Sequence, residues 1–287
     1  MEGINRYRPF AGYVCRLVGL LPPPTRGLRH CRKLIYLMKY VACLLCCAWL
    51  LSACSKEADD FTLDFGEDLY PLAVGSEYIY AVDSVIYDPL GAGERIDTVT
   101  GFSREVITEI IEGAADDTLY RLERSYRRTT DAPWQVTDVW TVRREPTRLI
   151  RTEENLDFIK LVFPLTERSD WDALAFFDEN REVLVAGETI RPFIQWDAEV
   201  DSIVATYTEP RTGFSYADAV FVQIADSGDN LLEYRDGVEV YAPNVGLVYR
   251  ELFVLDTQCL GADCDDIPWE VKAEKGFIVR QSLLEFR

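Results

Sequence analysis

The side chains able to do chemistry fall into three groups: an excess of carboxylates, a few cysteines and one histidine. Asp197, Glu199 and Asp201 alternate along a β-like run beside Trp196, and Glu153 stands next to Glu154. Two carboxyl groups flanking a glycosidic bond are enough for retaining or inverting hydrolysis, so the inventory allows a glycan-active enzyme. Acids at every second position are also what the solvated face of a strand presents. That is the plainer reading, and no catalytic residue is assigned. Asp226-Ser227-Gly228-Asp229-Asn230 carries oxygens that suit calcium, but an EF-hand loop beginning at Asp226 needs Glu where Gly237 stands. It reads as a turn. Cys259 and Cys264, in Cys-Leu-Gly-Ala-Asp-Cys, read as a disulfide pinning a loop, worth roughly 2 kcal/mol by loop entropy. Free or redox-active thiols and a zinc site are the alternatives, the last lacking the four ligands of tetrahedral zinc. The single histidine, His30, precedes the export signal described next. The body beyond that signal therefore has no Ser-His-Asp or Cys-His system and no imidazole base or ligand. No metal or other cofactor is expected.

The cysteine with the most definite chemistry is Cys54. From Met38 the chain reads Met-Lys-Tyr, then an apolar run over 40–51, then Leu51-Ser52-Ala53-Cys54 and the polar stretch Ser55-Lys56-Glu57-Ala58-Asp59-Asp60. A basic start, a short apolar run and a small-residue cleavage site make a secretory signal, and the run is shorter than the roughly 20 residues that span a bilayer. The segment resembles the bacterial lipoprotein signal. That resemblance implies cleavage between Ala53 and Cys54 and diacylglycerol on the Cys54 thiol. A plain signal peptide or a buried apolar helix is the alternative. The expected organisation is a signal peptide over 38–53, a lipidated acidic tether over 54–60 and a β-rich domain over 61–287. Several acyl chains, at about 0.8 kcal/mol per buried methylene, make the membrane a permanent partner. Acids just behind the lipidated cysteine also resemble the surface-export signals of Bacteroidetes lipoproteins. This implies a cell-envelope protein at the outer membrane, on its periplasmic or its surface side. Residues 1–37, with Leu21-Pro22-Pro23-Pro24, supply nothing a signal needs, so translation is expected to start at Met38; an unusually long n-region is the alternative.

Charge divides at the same place. The chain has 30 basic and 49 acidic residues, and residues 1–53 hold eight of the former and only Glu2 of the latter. Residues 54–287 thus carry 22 against 48, a net charge of −26. Such a body repels nucleic acid, whose recognition needs clustered Lys and Arg. Beyond the membrane, an envelope protein or a glycan is the expected partner.

The elements that must position these groups are strands. Runs of Val, Ile, Thr and aromatics recur between turn signals, as in antiparallel sheet. Tyr78, Tyr80 and Val82 alternate with Ile79 and Ala81. Tyr120, Leu122 and Tyr126 share a face that Arg124 interrupts, and Trp134, Val136, Trp140 and Val142 share one that Asp138 interrupts. Further strands are expected over 98–111, 148–153, 158–163, 203–208, 219–224, 231–234, 238–241, 246–255 and 276–285. Turns are expected at Asp88-Pro89-Leu90-Gly91, over 113–117, at Asp226-Ser227-Gly228-Asp229-Asn230, at Asp236-Gly237 and at Pro243-Asn244. A short helix or lid is expected over 172–182. The fold class is mainly β: one antiparallel sheet curled into a barrel, half-barrel or sandwich, with little helix outside the signal peptide.

Two segments echo each other at an offset of 93: Tyr70-Pro71-Leu72 with Tyr78, and Phe163-Pro164-Leu165 with Trp171. With Gly75 after the first, and with Tyr241-Ala242-Pro243-Asn244-Val245-Gly246-Leu247-Val248, they resemble uncharacterised Bacteroidetes-type lipoproteins. Those chains carry an aromatic-Pro-Leu-x-x-Gly-x-x-aromatic element, a second copy, and a Tyr-Ala-Pro-Gly-Val-Gly-Leu-Val element near the end. This chain departs from the pattern at Arg168, where the second copy has Gly, and at Asn244. The resemblance implies a fold and a location and attaches no reaction to any residue. Read from the residues alone, Pro71, Gly75, Pro164, Trp171, Tyr241, Pro243 and Gly246 are architectural, Pro entering strands and Gly permitting turns; ligand contact by the aromatics is the alternative. The leading functional expectation is a membrane-anchored, non-catalytic binding or scaffold domain. A carrier of an apolar ligand in a curled sheet is the alternative, and a glycan-active carboxylate enzyme comes third.

Because the thiolate is the reactive form and a hydroxyl is a far weaker nucleophile at neutral pH, Cys54→Ser is expected to abolish lipidation. In a Gram-negative host fed radiolabelled palmitate, the wild type should carry label and the variant none. Label persisting on the variant would move the lipid and the cleavage site elsewhere.

Overall fold

Turn residues punctuate the alternating runs at short intervals, so each run folds back along its predecessor. The computed structural model describes residues 66–89, 96–112, 118–228 and 230–287. Cys54, Ala53, the signal and tether segments, the expected turn over 113–117 and part of that at Asp88-Pro89-Leu90-Gly91 lie outside the described residues. Strands β1 (Glu77–Tyr87), β2 (Ile96–Glu112), β3 (Thr118–Arg127), β4 (Gln135–Glu145), β5 (Arg148–Glu153) and β6 (Leu156–Val162) form one meander. A second half holds β7 (Asp170–Asp172), a separate hairpin of β8 (Val183–Val185) and β9 (Glu188–Ile190), then β10 (Asp197–Thr208), β11 (Ser215–Asp226), β12 (Glu233–Ala242), β13 (Gly246–Asp256) and β14 (Lys275–Phe286). Two one-turn helices, α1 (Ala262–Asp265) and α2 (Trp269–Lys272), fill the β13–β14 connection.

The twelve long-sheet strands run in the order β6-β5-β4-β3-β2-β1-β14-β13-β12-β11-β10-β7. The last strand returns to the first, β14 pairing with β1 from Tyr78 opposite Phe286 to Tyr87 opposite Gly276. The two edges then approach each other. The Ile159 amide of β6 donates to the Ala173 carbonyl just past β7 at 3.0 Å, and the Trp171 indole donates to the Ile159 carbonyl at 2.9 Å. The sheet is thereby nearly closed into a barrel. Gly276 makes the β13 approach to β14 feasible: its φ is +119°, and a Cβ there would lie 2.0 Å from the Val254 carbonyl oxygen.

Inward positions of both halves form the main core, including Ile107, Leu122, Val142, Leu149, Leu161, Val222, Tyr241 and Val254. A second core groups Val240, Val248 and Leu283 with Tyr216 and Ala219 of β11 and with Tyr80 and Val82 of β1, and part of it, Val240 and Ala219 included, lies on the outer face of the sheet. Strand β11 pairs with β12 only from Val220 onward, so the far part of the β10–β11 hairpin is free to cover that face. It is held there by Arg211 to Asp83 at 2.5 Å and Ser282 to Glu209 at 3.1 Å.

The three motif segments converge. The Asn244 amide donates to the Asp68 carbonyl at 2.8 Å, and Arg144 donates to the carbonyls of Glu67 and Tyr70. The Gly75 amide donates to Ile107 O at 2.8 Å, and a Cβ on Gly246 would meet Pro71 and Tyr78 at 3.6 Å. Each aromatic-Pro-Leu segment stands just before the first of the six strands that its half contributes to the long sheet, β1 or β7. Asn244 takes the left-handed conformation at φ +61°. The Arg168 turn needs no glycine, since the Thr166 carbonyl accepts the Ser169 amide and the Ser169 hydroxyl accepts that of Thr166.

Three expectations are corrected. Asp236-Gly237 is no turn: β12 runs straight through it, with Gly237 opposite Leu252 and Ala225. A Cβ on Gly237 would lie 2.7 Å from Ile224 Cγ1, so the glycine makes room for core side chains. Of the residues 172–182, Asp172 ends β7 and the rest form turns and irregular chain with no helix. Finally, Val136 is exposed while Trp140 is buried, because a bulge between Arg124 and Ser125 shifts the β3–β4 register and reverses which positions face inward.

If the β6–β7 seam closes the barrel, Trp171→Phe removes one of its two hydrogen bonds. The variant should lose about 1 kcal/mol in urea unfolding and exchange the Ile159 amide faster than the wild type, with the β1–β14 amides unchanged.

Candidate functional site

Six of the barrel strands send long charged side chains inward. Glu105 comes from β2, Arg124 from β3, Arg151 and Glu153 from β5, Lys160 from β6, Glu239 from β12 and Arg250 from β13. Arg151, Lys160 and Glu239 are at most 4 % exposed. Burying isolated charges costs several kcal/mol each, and they are tolerated here because they are paired. Arg151 binds Glu153 at 2.5 Å and approaches Glu105 at 4.0 Å; Lys160 binds Glu239 at 2.5 Å. Arg250 approaches Glu239 Oε1 at 3.4 Å, and the Tyr241 hydroxyl donates to Glu239 Oε2 at 2.6 Å. The Arg124 and Arg151 guanidiniums lie 4.8 and 5.0 Å from the Trp140 ring centroid.

Burial on its own would raise the Glu153 carboxyl, but Arg151, with Lys160 and Arg250, overrides it and holds the group down at about 2. Burial likewise opposes ionisation of Glu239, and Lys160, Arg250 and Arg151 outweigh it, so this carboxyl too sits below its ordinary value. Burial raises the Tyr70 and Tyr241 phenols. At neutral pH the interior therefore holds fixed carboxylates and neutral phenols. Such groups orient a bound molecule, and the two depressed carboxylates are poorly placed to donate a proton.

Beside this layer lies a cavity of about 290 Å³. Glu105, Arg124, Glu153, Lys160, Arg250 and Gln281 give it polar walls, while Trp140, Phe158, Phe193, Trp196, Leu252 and Phe277 give it apolar ones. Its aromatic side is braced by edge-to-face contacts of Phe193 with Phe177 at 5.3 Å and with Trp196 at 5.6 Å. The segment between β7 and β10 thus walls the cavity, although no periodicity marked it. Glu154, exposed, and Leu156 and Val183, half-buried, stand at its rim.

The carboxylate cluster read from the sequence is split. The β10 pleat leaves Asp197, Glu199 and Asp201 exposed, and Trp196, 5 % exposed, turns into the cavity. Glu153 and Glu154 part in the same way. Glu154 and Asn155, with φ of +49° and +63°, form the two-residue β5–β6 turn, leaving Glu153 inside. Asp226 and Asn230 cap backbone amides of their own loop. Cys259 and Cys264 are joined by a disulfide around α1, with Cα atoms 5.8 Å apart, and line no part of the cavity. Among the described residues, no three His, Cys, Asp or Glu groups come together to hold a metal ion. Of the motif residues, Tyr241 reaches the charge layer through Glu239 and Trp171 serves the seam.

No protein-family model and no curated protein matches the chain. Among solved structures it is similar to a protein of Parabacteroides distasonis ATCC 8503 assigned to the lipoproteins, with 12 % identity, a TM-score of 0.35, and 76 % of this chain and 98 % of that one covered. It is also similar to a protein of Bacteroides fragilis NCTC 9343 assigned as exported, with a YmcC-like fold, at 10 % identity and a TM-score of 0.32 over 76 % of this chain and 98 % of that one. Similarity of this degree carries no function across, so the site is read from its own geometry.

Glu153 gives a pH signature. Its folded value, about 2, lies below the ordinary 4.5, so its contribution to stability is full above the ordinary value and is lost as pH falls toward 2. In urea unfolding, the gap between wild type and Glu153→Gln should be widest near neutral pH and shrink steadily between about pH 4.5 and 2. A gap independent of pH would mean that Glu153 is not held ionised by Arg151.

Proposed function

We propose that this chain is a lipid-anchored, non-catalytic binding protein of the bacterial cell envelope, held at the outer membrane through Cys54, whose barrel takes up a small ligand. The observation that carries the binding part is the cavity between the charged layer and the aromatic wall. At about 290 Å³ it stands at the small end of ligand sites, roughly 300 to 1,000 Å³, and has their usual make-up of apolar walls with a few convergent polar groups. The anchoring part rests on the Leu51-Ser52-Ala53-Cys54 box. Ion pairs on the outer face support a barrel that stands off the bilayer: Arg121 with Glu109 and Glu123, and Arg143 with Glu145. A membrane-spanning barrel instead presents an outward apolar band about 25 Å tall.

Native mass spectrometry of the protein purified from its envelope without denaturation tests this reading. The wild type should carry a small-molecule adduct that leaves on unfolding. Val279→Trp, which fills the cavity from β14, should lose the adduct while keeping the far-ultraviolet circular dichroism of the sheet. Wild-type protein that is always free of adduct, yet crosslinks stoichiometrically to one envelope protein, would favour a scaffold over a binding site.

A further inference from the structure

Two polar side chains of the cavity wall are buried without a hydrogen bond and yet are not sealed off. The Glu105 side chain is 5 % exposed, and its carboxylate accepts no hydrogen bond among the described residues. Its nearest cations are Arg124, with Nε 3.8 Å from Oε1, and Arg151, with Nη1 4.0 Å from Oε2. Gln281 is 4 % exposed, and its amide oxygen accepts none either. These three oxygens are not enclosed by protein atoms as the unbonded Gln281 Nε2 is, so they open onto internal space. Glu105 borders two such spaces, the cavity and a void of about 10 Å³ shared with Tyr70, Tyr78, Tyr80 and Arg151, which is room for about one water. Arg124, on the Oε1 side, lines the cavity, and Arg151, on the Oε2 side, lines the void. Oε1 is therefore the oxygen that an occupant of the cavity meets.

Open donors stand beside these acceptors. Lys160 has three N–H groups and one bonded acceptor, Glu239. The Nη groups of Arg124 and Arg250 make no hydrogen bond among the described residues and are not sealed, these side chains being 28 and 16 % exposed. Burying a carboxylate with its lone pairs unmet is costly, so the wall is complete only when an occupant supplies hydrogens to Glu105. Net charge asks for no countercharge: Arg124, Arg151, Lys160 and Arg250 are in ion-pair contact with the four carboxylates of Glu105, Asp138, Glu153 and Glu239. The polar groups of the wall come from β2, β3, β5, β6, β13 and β14, so they are spread around the space instead of gathered at one end. Much of the remaining wall is aromatic.

We infer that the cavity's ligand is a neutral saccharide, whose hydroxyl hydrogens meet Glu105 and Gln281, whose hydroxyl oxygens accept from Lys160, Arg124 and Arg250, and whose C–H face lies on the aromatic wall. The inference rests on the binding function proposed above and names its ligand class. A hydroxyl both donates and accepts, and a sugar carries several of them around a ring with apolar faces. An ammonium would stand among the wall's cations, and a carboxylate would face Glu105. A flat molecule with a single polar end would leave most of the dispersed polar groups unmet.

Titrations of the full lipid-free chain, followed by calorimetry and by fluorescence of the cavity tryptophans, test this with an array of neutral mono- and disaccharides, the amino-sugar and uronic-acid counterparts of its hexoses, and 2-naphthol. At least one neutral saccharide should bind with a Kd of about 1 mM or below, and roughly tenfold more tightly than its charged counterparts. Glu105→Gln, which keeps the shape and removes the charge, and Gln281→Leu should each weaken that saccharide roughly tenfold. Val279→Trp, which fills the cavity, should abolish binding, and each variant should keep the circular dichroism of the sheet. Affinity unchanged in both Glu105→Gln and Gln281→Leu, binding that survives Val279→Trp, or tighter binding of a charged counterpart would overturn the assignment of ligand class. So would 2-naphthol binding, or a sugar-free adduct on the native protein, where no saccharide binds; the cavity then stays a binding site. Binding of no probe, together with native protein free of any adduct, would overturn both the ligand class and the binding function.

Discussion

Twelve antiparallel strands bent back on themselves enclose more space than their own apolar side chains can fill. Eight strands leave an interior just wide enough for packed side chains, whereas sixteen or more leave an aqueous channel. Much of this structure answers that constraint. Tyr70 and Leu69, from the segment before β1, and Leu174, Phe177 and Phe193, from the long connection between β7 and β10, are brought into the main core. Long side chains from β2, β5, β6 and β12 reach across the middle. What these do not fill is the cavity.

Long charged side chains are an expensive filling, and their arrangement reflects it. An ion pair taken out of water is stabilised only when the remaining lone pairs and protons are also satisfied. Glu239 accordingly meets Lys160, Arg250 and Tyr241 at once, and Arg151 lies against both Glu153 and the Trp140 ring. Because each group has several partners, no single side chain can change rotamer without exposing another. The result is a rigid polar layer inside a protein whose outer surface is strongly acidic. The apolar wall is braced differently, by rings packed edge to face, so both sides of the cavity are held by contacts within the protein.

The fold was largely legible in the sequence because an antiparallel sheet with one buried face writes its period directly into the chain. The reading of β5 over 148–153 matches the strand to the residue, and β2, β13 and β14 differ only at their ends. It failed where packing overrode local chemistry. Asp-Gly is a strong hairpin signal, yet Gly237 is present for want of a side chain beside Ile224 and Leu252. The site was harder to see, and its clue looked like noise. Arg124 and Asp138 seemed to be errors in two apolar faces; they are ion-paired to each other, with Arg124 in the cavity wall. An inward charge is intelligible only once its partner is known, and Lys160 and Glu239 are 79 residues apart. The acids beside Trp196 were legible as the solvated face of a strand, and Asp197, Glu199 and Asp201 are exposed, since neighbours in sequence along a strand occupy opposite faces.

The pairing of the last strand with the first has a mechanical side. β1 is flanked along its length by β2 and by β14, and the Glu77 carboxylate at its start is gripped by both Arg104 and Arg287. A pull applied through the chain ahead of Glu77 and directed along β1 must slide that strand against both neighbours together. Every cross-strand bond on either flank then bears load in shear, whereas a strand peeled from an edge gives up its bonds one at a time. A body tugged from the N-terminal end of its first strand is therefore held by an element stitched along both flanks, and the lightly bonded β6–β7 seam lies outside the line of force.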